Sequence, residues 1–171
     1  MQDKKKIRFL VMDVDGTLTD GKIYMGANGE LMKSFDVKDG CGIKDILPHY
    51  GIIPVVLTAR NSAILERRCQ ELNLSHLYQG IRNKKEKLDS ILCELSKENH
   101  EEYCYQHVAY IGDDILDLQC MKPIKEEGGI VGCPADAIQQ VSVIADFVSN
   151  KSGGCGAVRE FIEWIVEPYD E

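Results

Sequence analysis

Three stretches of this chain are almost continuously apolar, and they constrain its fold more than any other feature. They span residues 7–12, 52–57 and 108–111, and amphipathic patterns lie between them. Strands that are buried on both faces of a parallel sheet have this composition, whereas half-exposed strands alternate apolar and polar residues. Weaker strand candidates cover residues 76–79, 129–131 and 143–145. This alternation of strand and helix patterns predicts an α/β fold, a doubly wound parallel sheet of the Rossmann-like kind with right-handed crossovers.

The intervening helices are predicted by apolar residues at helical spacing. The spacing i, i+3 or i+4, i+7 is clearest in residues 65–72, 88–95 and 158–165. The chain has no internal repeat, low-complexity segment or linker, and its length allows a sizeable core. We therefore expect a single domain over residues 1–171.

Residues 22–36 interrupt the alternation and predict a β-hairpin that turns at residues 27–29, where Asn-Gly is a strong hairpin signal. A two-stranded ribbon is only marginally stable alone in water. Its apolar side chains therefore need a cover, either from the body of the domain or from the same hairpin of other subunits: Ile23, Met25, Leu31 and Phe35.

Two carboxylates, Asp13 and Asp15, follow directly on the first apolar run. Like charges this close raise each other's pKa, and burial adds to the cost of the pair. A turn with side-chain caps would accommodate such a pair without any function. A magnesium-dependent phosphoryl-transfer enzyme would use it as a metal ligand, a nucleophile and an acid/base.

Further polar side chains follow the other long strands, where ligands bind in open α/β sheets. Thr58 and Arg60 come after the second strand, Asp113, Asp114 and Asp117 come after the third, and Lys84 opens the helix between them. Each has a plain structural reading as a strand-end hydroxyl, a helix cap or part of a solvated charge run. Together, at one edge of the sheet, they predict a catalytic site.

The composition of the chain limits the classes of partner that it can bind. The net charge of −8 argues against nucleic acid or a membrane surface as a partner, and an anionic substrate would then need a metal and locally placed cations. No apolar stretch reaches the roughly 18 to 20 residues of a membrane span. The seven cysteines are scattered without a C-x-x-C motif, which predicts reduced thiols and a cytoplasmic protein.

These motifs resemble those of the haloacid dehalogenase superfamily of phosphotransferases. The resemblance rests on Asp-Val-Asp-Gly-Thr at 13–17, Thr58, Lys84 and Gly-Asp-Asp-Ile-Leu-Asp at 112–117, and it covers nearly the whole chain. It implies that Asp13 is the nucleophile and forms an aspartyl-phosphate, and that Asp15 is the acid/base. Thr58 and Lys84 would hold the phosphoryl oxygens.

The same resemblance implies a bound Mg²⁺, which prefers oxygen ligands. Its protein ligands would be Asp13, the backbone carbonyl of Asp15 and Asp113, and Asp114 or Asp117 would support them or replace one. Two-component receiver domains use similar groups, but their acidic pair is adjacent and their phosphorylated aspartate follows the third strand. The order of motifs in this chain favours the hydrolase.

Residues 16–57 hold only the hairpin and one helix, which leaves no room for a cap domain. Together with the motifs at 39–43, 79–84 and 153–160, this resembles the subfamily of 3-deoxy-D-manno-octulosonate 8-phosphate phosphatases. The resemblance implies a sugar-acid phosphate substrate, lipopolysaccharide biosynthesis and a homotetramer in which four hairpins meet. The C-terminal tail, about residues 152–171, would approach a neighbour's active site.

The resemblance also implies three substrate-binding residues, Gly16, Arg60 and Arg159. A planar guanidinium at Arg60 suits a substrate carboxylate, although an ion pair at a helix start is the alternative. Arg159 has the alternative of a surface position, and Ala59 departs from the family's glycine. A nine-carbon, neuraminate-type sugar acid 9-phosphate remains a second candidate substrate. A phospho-accepting signalling domain and a non-catalytic oligomerisation domain remain as other classes.

Overall fold

The fold was obtained as a computed structural model, which describes residues 4–167. Residues 168–171 of the expected tail, and residues 1–3 of the expected domain, lie outside that range. Within it the strands are β1 Phe9–Met12, β2 Tyr24–Gly26, β3 Gly29–Met32, β4 Ile53–Leu57, β5 His76–Tyr78, β6 Val108–Ile111, β7 Ile130–Cys133 and β8 Phe147–Val148. The α-helices are α1 Val37–Cys41, α2 Leu47–His49, α3 Ala63–Glu71, α4 Lys84–Asn99, α5 Leu118–Glu126, α6 Gln139–Ser142 and α7 Ala157–Val166.

Short helical segments complete these elements. A π-helical stretch, Gly42–Ile46, joins α1 to α2, so residues 37–49 form one continuous helical segment. Single 3₁₀ turns cover Lys4–Lys6 and Tyr105–His107. None of the helices within residues 4–167 is both long and apolar enough to cross a membrane.

The central sheet has six parallel strands in the order β5-β4-β1-β6-β7-β8, which confirms the predicted doubly wound α/β fold. The chain adds β4 and β5 on one side of β1 and then β6, β7 and β8 on the other. The direction of winding therefore changes at β1, and such switch points are where open α/β sheets bind ligands.

The predicted strand at residues 143–145 is wrong. The amides of Val143, Ile144 and Ala145 bond back to carbonyls of residues 139 and 141, so these residues continue the turn of α6. Val143 is 74% exposed, which shows that this apolar triplet does not enter the sheet. Strand β8 begins at Phe147. The residue before it, Asp146, accepts a hydrogen bond from the Val131 amide at 2.9 Å.

Two apolar layers enclose the sheet, because successive side chains of a strand point to opposite faces. Leu10 and Met12 pack on one face with Phe161 and Ile165 of α7. Phe9 and Val11 pack on the other face with the apolar residues of α4 and α5. All four residues of β1 are buried, as the continuous apolar run predicted.

The hairpin forms where the Asn-Gly signal placed it. Gly26 lies opposite Gly29, so Ala27 and Asn28 make a two-residue turn between antiparallel strands β2 and β3. Met25 and Leu31 remain 63% and 66% exposed, whereas Phe35 is half-buried against the core. The body of the domain thus covers only the base of the hairpin. No cap domain lies between β1 and β4 in the described chain.

Candidate active site

Strand register brings the predicted residues that follow β1 and β6 to one edge of the central sheet. Met12 lies opposite Val56 on one side and Ile111 on the other. Because parallel strands end together here, the residues that follow each strand emerge side by side. One carboxylate oxygen from each of Asp13, Asp113 and Asp117 lies within 4.8 Å of the others, and we call these three residues the acidic cluster.

Asp117 organises this cluster from beneath. It is fully buried, and its Oδ1 accepts hydrogen bonds of 2.7 Å from Lys84 Nζ and from the Tyr110 hydroxyl. Its Oδ2 accepts the backbone amides of Asp113 and Asp114 at 3.0 Å. Since protein donors occupy both oxygens, Asp117 fixes the loop after β6. Asp114 is exposed, and its carboxylate accepts the amide of Ile115 at 2.7 Å.

Lys84 bridges two members of the acidic cluster. Its Nζ lies 2.8 Å from Asp13 Oδ1 and 2.7 Å from Asp117 Oδ1, and its side chain is 1% exposed. Asn83 caps the start of α4 by accepting the Glu86 amide, which sets Lys84 as the first helical residue. Burial lowers the pKa of Lys84, but the negative charges of Asp117 and Asp13 outweigh it and the net pKa is raised.

The charge run around Lys84 is therefore not uniformly a solvated face. The next residue, Lys85, is half-exposed and pairs with Asp89 at 2.9 Å, as a surface helix residue does. The two lysines differ because Lys84 lies at the helix start beside the sheet edge, where the Gln119 side chain accepts its amide at 3.0 Å.

The acidic cluster carries more negative charge than the protein alone compensates. Burial, reinforced by the charge of Asp117, raises the pKa of Asp13 to about 7 although Lys84 opposes the shift. Burial also raises the pKa of Asp113 to about 7, against a 2.8 Å hydrogen bond from the Thr17 hydroxyl. Three carboxylates around one ammonium suit a hard divalent cation, and Mg²⁺ takes oxygen ligands.

Two glycines make room for these carboxylates. Gly16 has φ +97°, and a Cβ there would overlap the Asp113 carboxylate. A Cβ at Gly112 would overlap the Asp117 carboxylate in the same way. Gly16 was predicted to bind substrate, and the structure shows it packed beneath a predicted metal ligand. The glycines of the tail also contact this loop, since the Gly154 amide donates to the Thr17 carbonyl at 3.0 Å.

Asp15 lies in a second charged group, which we call the hairpin cluster: Asp15, Glu30, Lys33 and Arg60. The Lys33 side chain is 2% exposed, and its Nζ donates to Asp15 Oδ1 and lies 3.1 Å from Glu30 Oε1. Arg60 lies farther away, with Nε 3.5 Å from Asp15 Oδ2 and Nη2 3.6 Å from Glu30 Oε1. The Ser62 hydroxyl donates to Glu30 Oε2.

Glu30 and Lys33 were not anticipated from the sequence. The signal that could have found them is a charged residue on either side of the apolar pair Leu31-Met32. Burial raises the pKa of Glu30, but hydrogen bonds from Ser62 and Lys33 outweigh it, and the net pKa is lowered.

The remaining predicted residues divide into two groups. Thr58 directly follows β4, is 2% exposed, and its hydroxyl accepts the Arg60 amide at 3.4 Å, while Arg60 itself contacts the hairpin cluster. The structure does not bring Arg159 to either cluster. Its guanidinium bonds Glu163 at 2.7 Å and the Lys38 carbonyl at 3.5 Å on the surface of α7.

Comparisons with known proteins identify the relatives of this chain. No protein-family model matches the chain. The 3-deoxy-D-manno-octulosonate 8-phosphate phosphatase of Escherichia coli K12 is 40% identical over 162 residues, covering 95% of this chain and 80% of that protein. The enzyme of the same name from Yersinia pestis is 36% identical over 171 residues, covering 100% of this chain and 86% of that protein.

Solved structures give the same result. The Moraxella catarrhalis 3-deoxy-D-manno-octulosonate 8-phosphate phosphatase, in complex with magnesium, phosphate and KDO, has a TM-score of 0.81 at 38% identity. The match covers 96% of this chain and 88% of that one. The cobalt-bound Haemophilus influenzae phosphatase has a TM-score of 0.82 at 37% identity, with 96% and 91% covered.

Proposed function

The chain belongs to the family of 3-deoxy-D-manno-octulosonate 8-phosphate phosphatases of the haloacid dehalogenase superfamily, and we propose that it hydrolyses this sugar-acid phosphate. It is a Mg²⁺-dependent phosphoric monoester hydrolase. The observation that carries the proposal is the buried Lys84, held between Asp13 and Asp117 within an acidic cluster that suits a divalent cation.

We propose that Asp13 is the nucleophile. Lys84 Nζ lies 2.8 Å from Asp13 Oδ1 and fixes the orientation of the carboxylate. The other oxygen, Oδ2, would then attack phosphorus. Asp13, Asp113 and the Asp15 backbone carbonyl would hold Mg²⁺, which when bound neutralises phosphoryl charge and orients the group. Lys84 and Thr58 would donate to the phosphoryl oxygens, and such positioning dominates phosphoryl transfer.

Asp15 acts as the acid and then the base. Its carboxyl protonates the sugar oxygen as the P–O bond breaks, and the resulting carboxylate then takes a proton from the water that attacks the aspartyl-phosphate. Arg60 is half-exposed beside Asp15 and would bind the substrate carboxylate through its guanidinium. Gly16 and Arg159 remain predicted contacts of the substrate, Arg159 through a neighbouring subunit.

A homotetramer in the cytoplasm, acting in lipopolysaccharide biosynthesis, completes the proposal. The support is the hairpin, whose Met25 and Leu31 are 63% and 66% exposed and lack a cover from the described part of the chain. The single domain would contribute its hairpin to the tetramer core. Gel filtration with light scattering tests this: the wild type should be a tetramer, and Leu31→Glu should dissociate it. A monomeric wild type would contradict the assembly.

The substrate is tested by steady-state assays with Mg²⁺ on a panel of phosphates. The panel holds octulosonate 8-phosphate, a neuraminate-type 9-phosphate and generic sugar phosphates. We expect the highest kcat/KM for the eight-carbon acid. A higher kcat/KM for the nine-carbon acid would identify that acid phosphate as the substrate instead. Equal kcat/KM values throughout the panel would refute a sugar-acid specificity.

The reaction class is tested by the lifetime of the phosphorylated protein. An enzyme turns the aspartyl-phosphate over within each catalytic cycle, whereas a signalling domain retains it. We expect rapid loss of label from the wild type in Mg²⁺ and no labelling of Asp13→Asn. A persistent phospho-protein would overturn the hydrolase.

A further inference from the structure

The hairpin cluster contains a lysine that contacts the acid/base but has no place in the mechanism above. Lys33 reaches Asp15 from the end of β3, and its ammonium is nearly as buried as that of Lys84. Met25 and Leu31 of the hairpin are exposed, whereas Lys33 contacts both Asp15 and Glu30. The strands of the hairpin are largely exposed. The burial of the Lys33 ammonium against the Asp15 carboxylate therefore calls for an explanation.

The two oxygens of Asp15 have unequal surroundings. Lys33 donates a direct hydrogen bond to Oδ1. The nearest cation to Oδ2 is Arg60 Nε at 3.5 Å, longer than a good hydrogen bond. One oxygen is therefore held by a direct hydrogen bond, and the other accepts none from residues 4–167.

Glu30 in turn holds the Lys33 ammonium in place. Its Oε1 lies 3.1 Å from Lys33 Nζ, and its Oε2 accepts the Ser62 hydroxyl. Ser62 caps α3 by accepting the Leu65 amide at 3.2 Å, so the chain of contacts ends on a helix of the domain body. The hairpin base, the start of α3 and Asp15 thus share one network.

We propose that Lys33 is a positioning residue for the reaction, which holds Asp15 Oδ1 so that Oδ2 carries the proton toward the leaving group. This rests on the proposed function, in which Asp15 is the acid/base. In the first step Asp13 bonds phosphorus, the P–O bond to the sugar breaks, and the Oδ2 proton passes to the sugar oxygen. Asp15 is left as a carboxylate, and Lys33 still donates to Oδ1.

The test compares two leaving groups. A sugar alkoxide needs a proton to leave, whereas p-nitrophenolate leaves without one. A group that positions the acid therefore affects the sugar ester more than the aryl ester, and a merely structural group affects both equally. Leaving-group release is measured in single turnovers with the Mg²⁺-loaded enzyme, on octulosonate 8-phosphate and on p-nitrophenyl phosphate.

Lys33→Met removes the donor at nearly constant length. We expect it to slow release of the sugar at least about ten-fold and release of nitrophenol less than about three-fold, since general acid catalysis contributes about 10²- to 10⁴-fold. Lys22→Met is the matched control, because Lys22 precedes the strands of the same hairpin, is 74% exposed and pairs with Asp20 at 3.7 Å. The control should leave both rates unchanged.

Asp15→Asn separates the inference from the proposed function. If Asp15→Asn is selective for the sugar ester and Lys33→Met is not, the inference fails while the function stands. If Asp15→Asn slows both esters equally, the acid role fails and takes the inference with it. A raised KM for Lys33→Met with unchanged kcat would make Lys33 a substrate-binding residue and also overturns the proposal.

Discussion

Replacing Lys84 by methionine removes the positive charge from the centre of the acidic cluster. The ammonium makes contacts of 2.8 Å and 2.7 Å with two buried carboxylates and is itself 1% exposed. Removing one partner of a buried ion pair leaves uncompensated charge, which costs about 3–5 kcal/mol. We expect the free energy of unfolding to fall by about this amount at pH 8 without metal.

The loss depends on pH in a direction that the site fixes. Burial already raises the pKa of Asp13 to about 7, and losing Lys84 raises it further above its unfolded value. A carboxyl with a raised folded pKa is protonated at low pH and costs stability as the pH rises through that range. The loss in Lys84→Met should therefore be smaller at pH 5.5 than at pH 8.

Urea unfolding at fixed protein concentration, with and without Mg²⁺, measures both effects. Lys85→Met is the matched control, since Lys85 is 51% exposed and its partner Asp89 is 48% exposed. The urea midpoint of the control should not move. If Lys84→Met unfolded at the wild-type midpoint at pH 8, or lost more stability at pH 5.5, the account of the buried ion pairs would be refuted.

Two further predictions follow from single positions. Gly16→Ala places a Cβ against the Asp113 carboxylate at φ +97°, so it should lose at least about 1–2 kcal/mol and the Mg²⁺-induced rise in Tm by differential scanning fluorimetry; an unchanged rise would contradict it. Burial raises the pKa of Asp39 from 3.8 to about 6, so wild-type stability falls as the pH rises between these values. Asp39→Asn removes that fall and should gain about 2 kcal/mol on the wild type between pH 4 and 7 in urea titrations, whereas a constant difference would contradict the shift.

The parts of the fold that sequence predicted well are those with a strong local signal. Continuous apolar runs identified β1, β4 and β6 because strands covered on both faces cannot accept polar residues. The Asn-Gly pair located the hairpin turn to within one residue. Residues 143–145 misled because three apolar residues carry no period, and the end of α6 used them as a turn.

The site was predictable where catalytic groups follow strands. Register then decides their neighbours, so Asp13 and Asp113 had to meet once β1 and β6 were adjacent. The contact of Glu30 and Lys33 with the Asp15 region was not predictable, because it depends on how the hairpin base folds onto α3. No spacing in the sequence encodes that contact. Tyr110 was not predicted for a similar reason, because only the tertiary fold brings its hydroxyl to the Asp117 carboxylate.

The most direct test of the central claim is chemical trapping of the intermediate. The Mg²⁺-loaded enzyme is mixed with octulosonate 8-phosphate, quenched in acid within one turnover and mapped by peptide mass spectrometry. Our account predicts phosphate on the Asp13 side chain, formed and lost at least as fast as kcat, and absent from Asp13→Asn. Phosphate on another residue, or full turnover by Asp13→Asn, would contradict it.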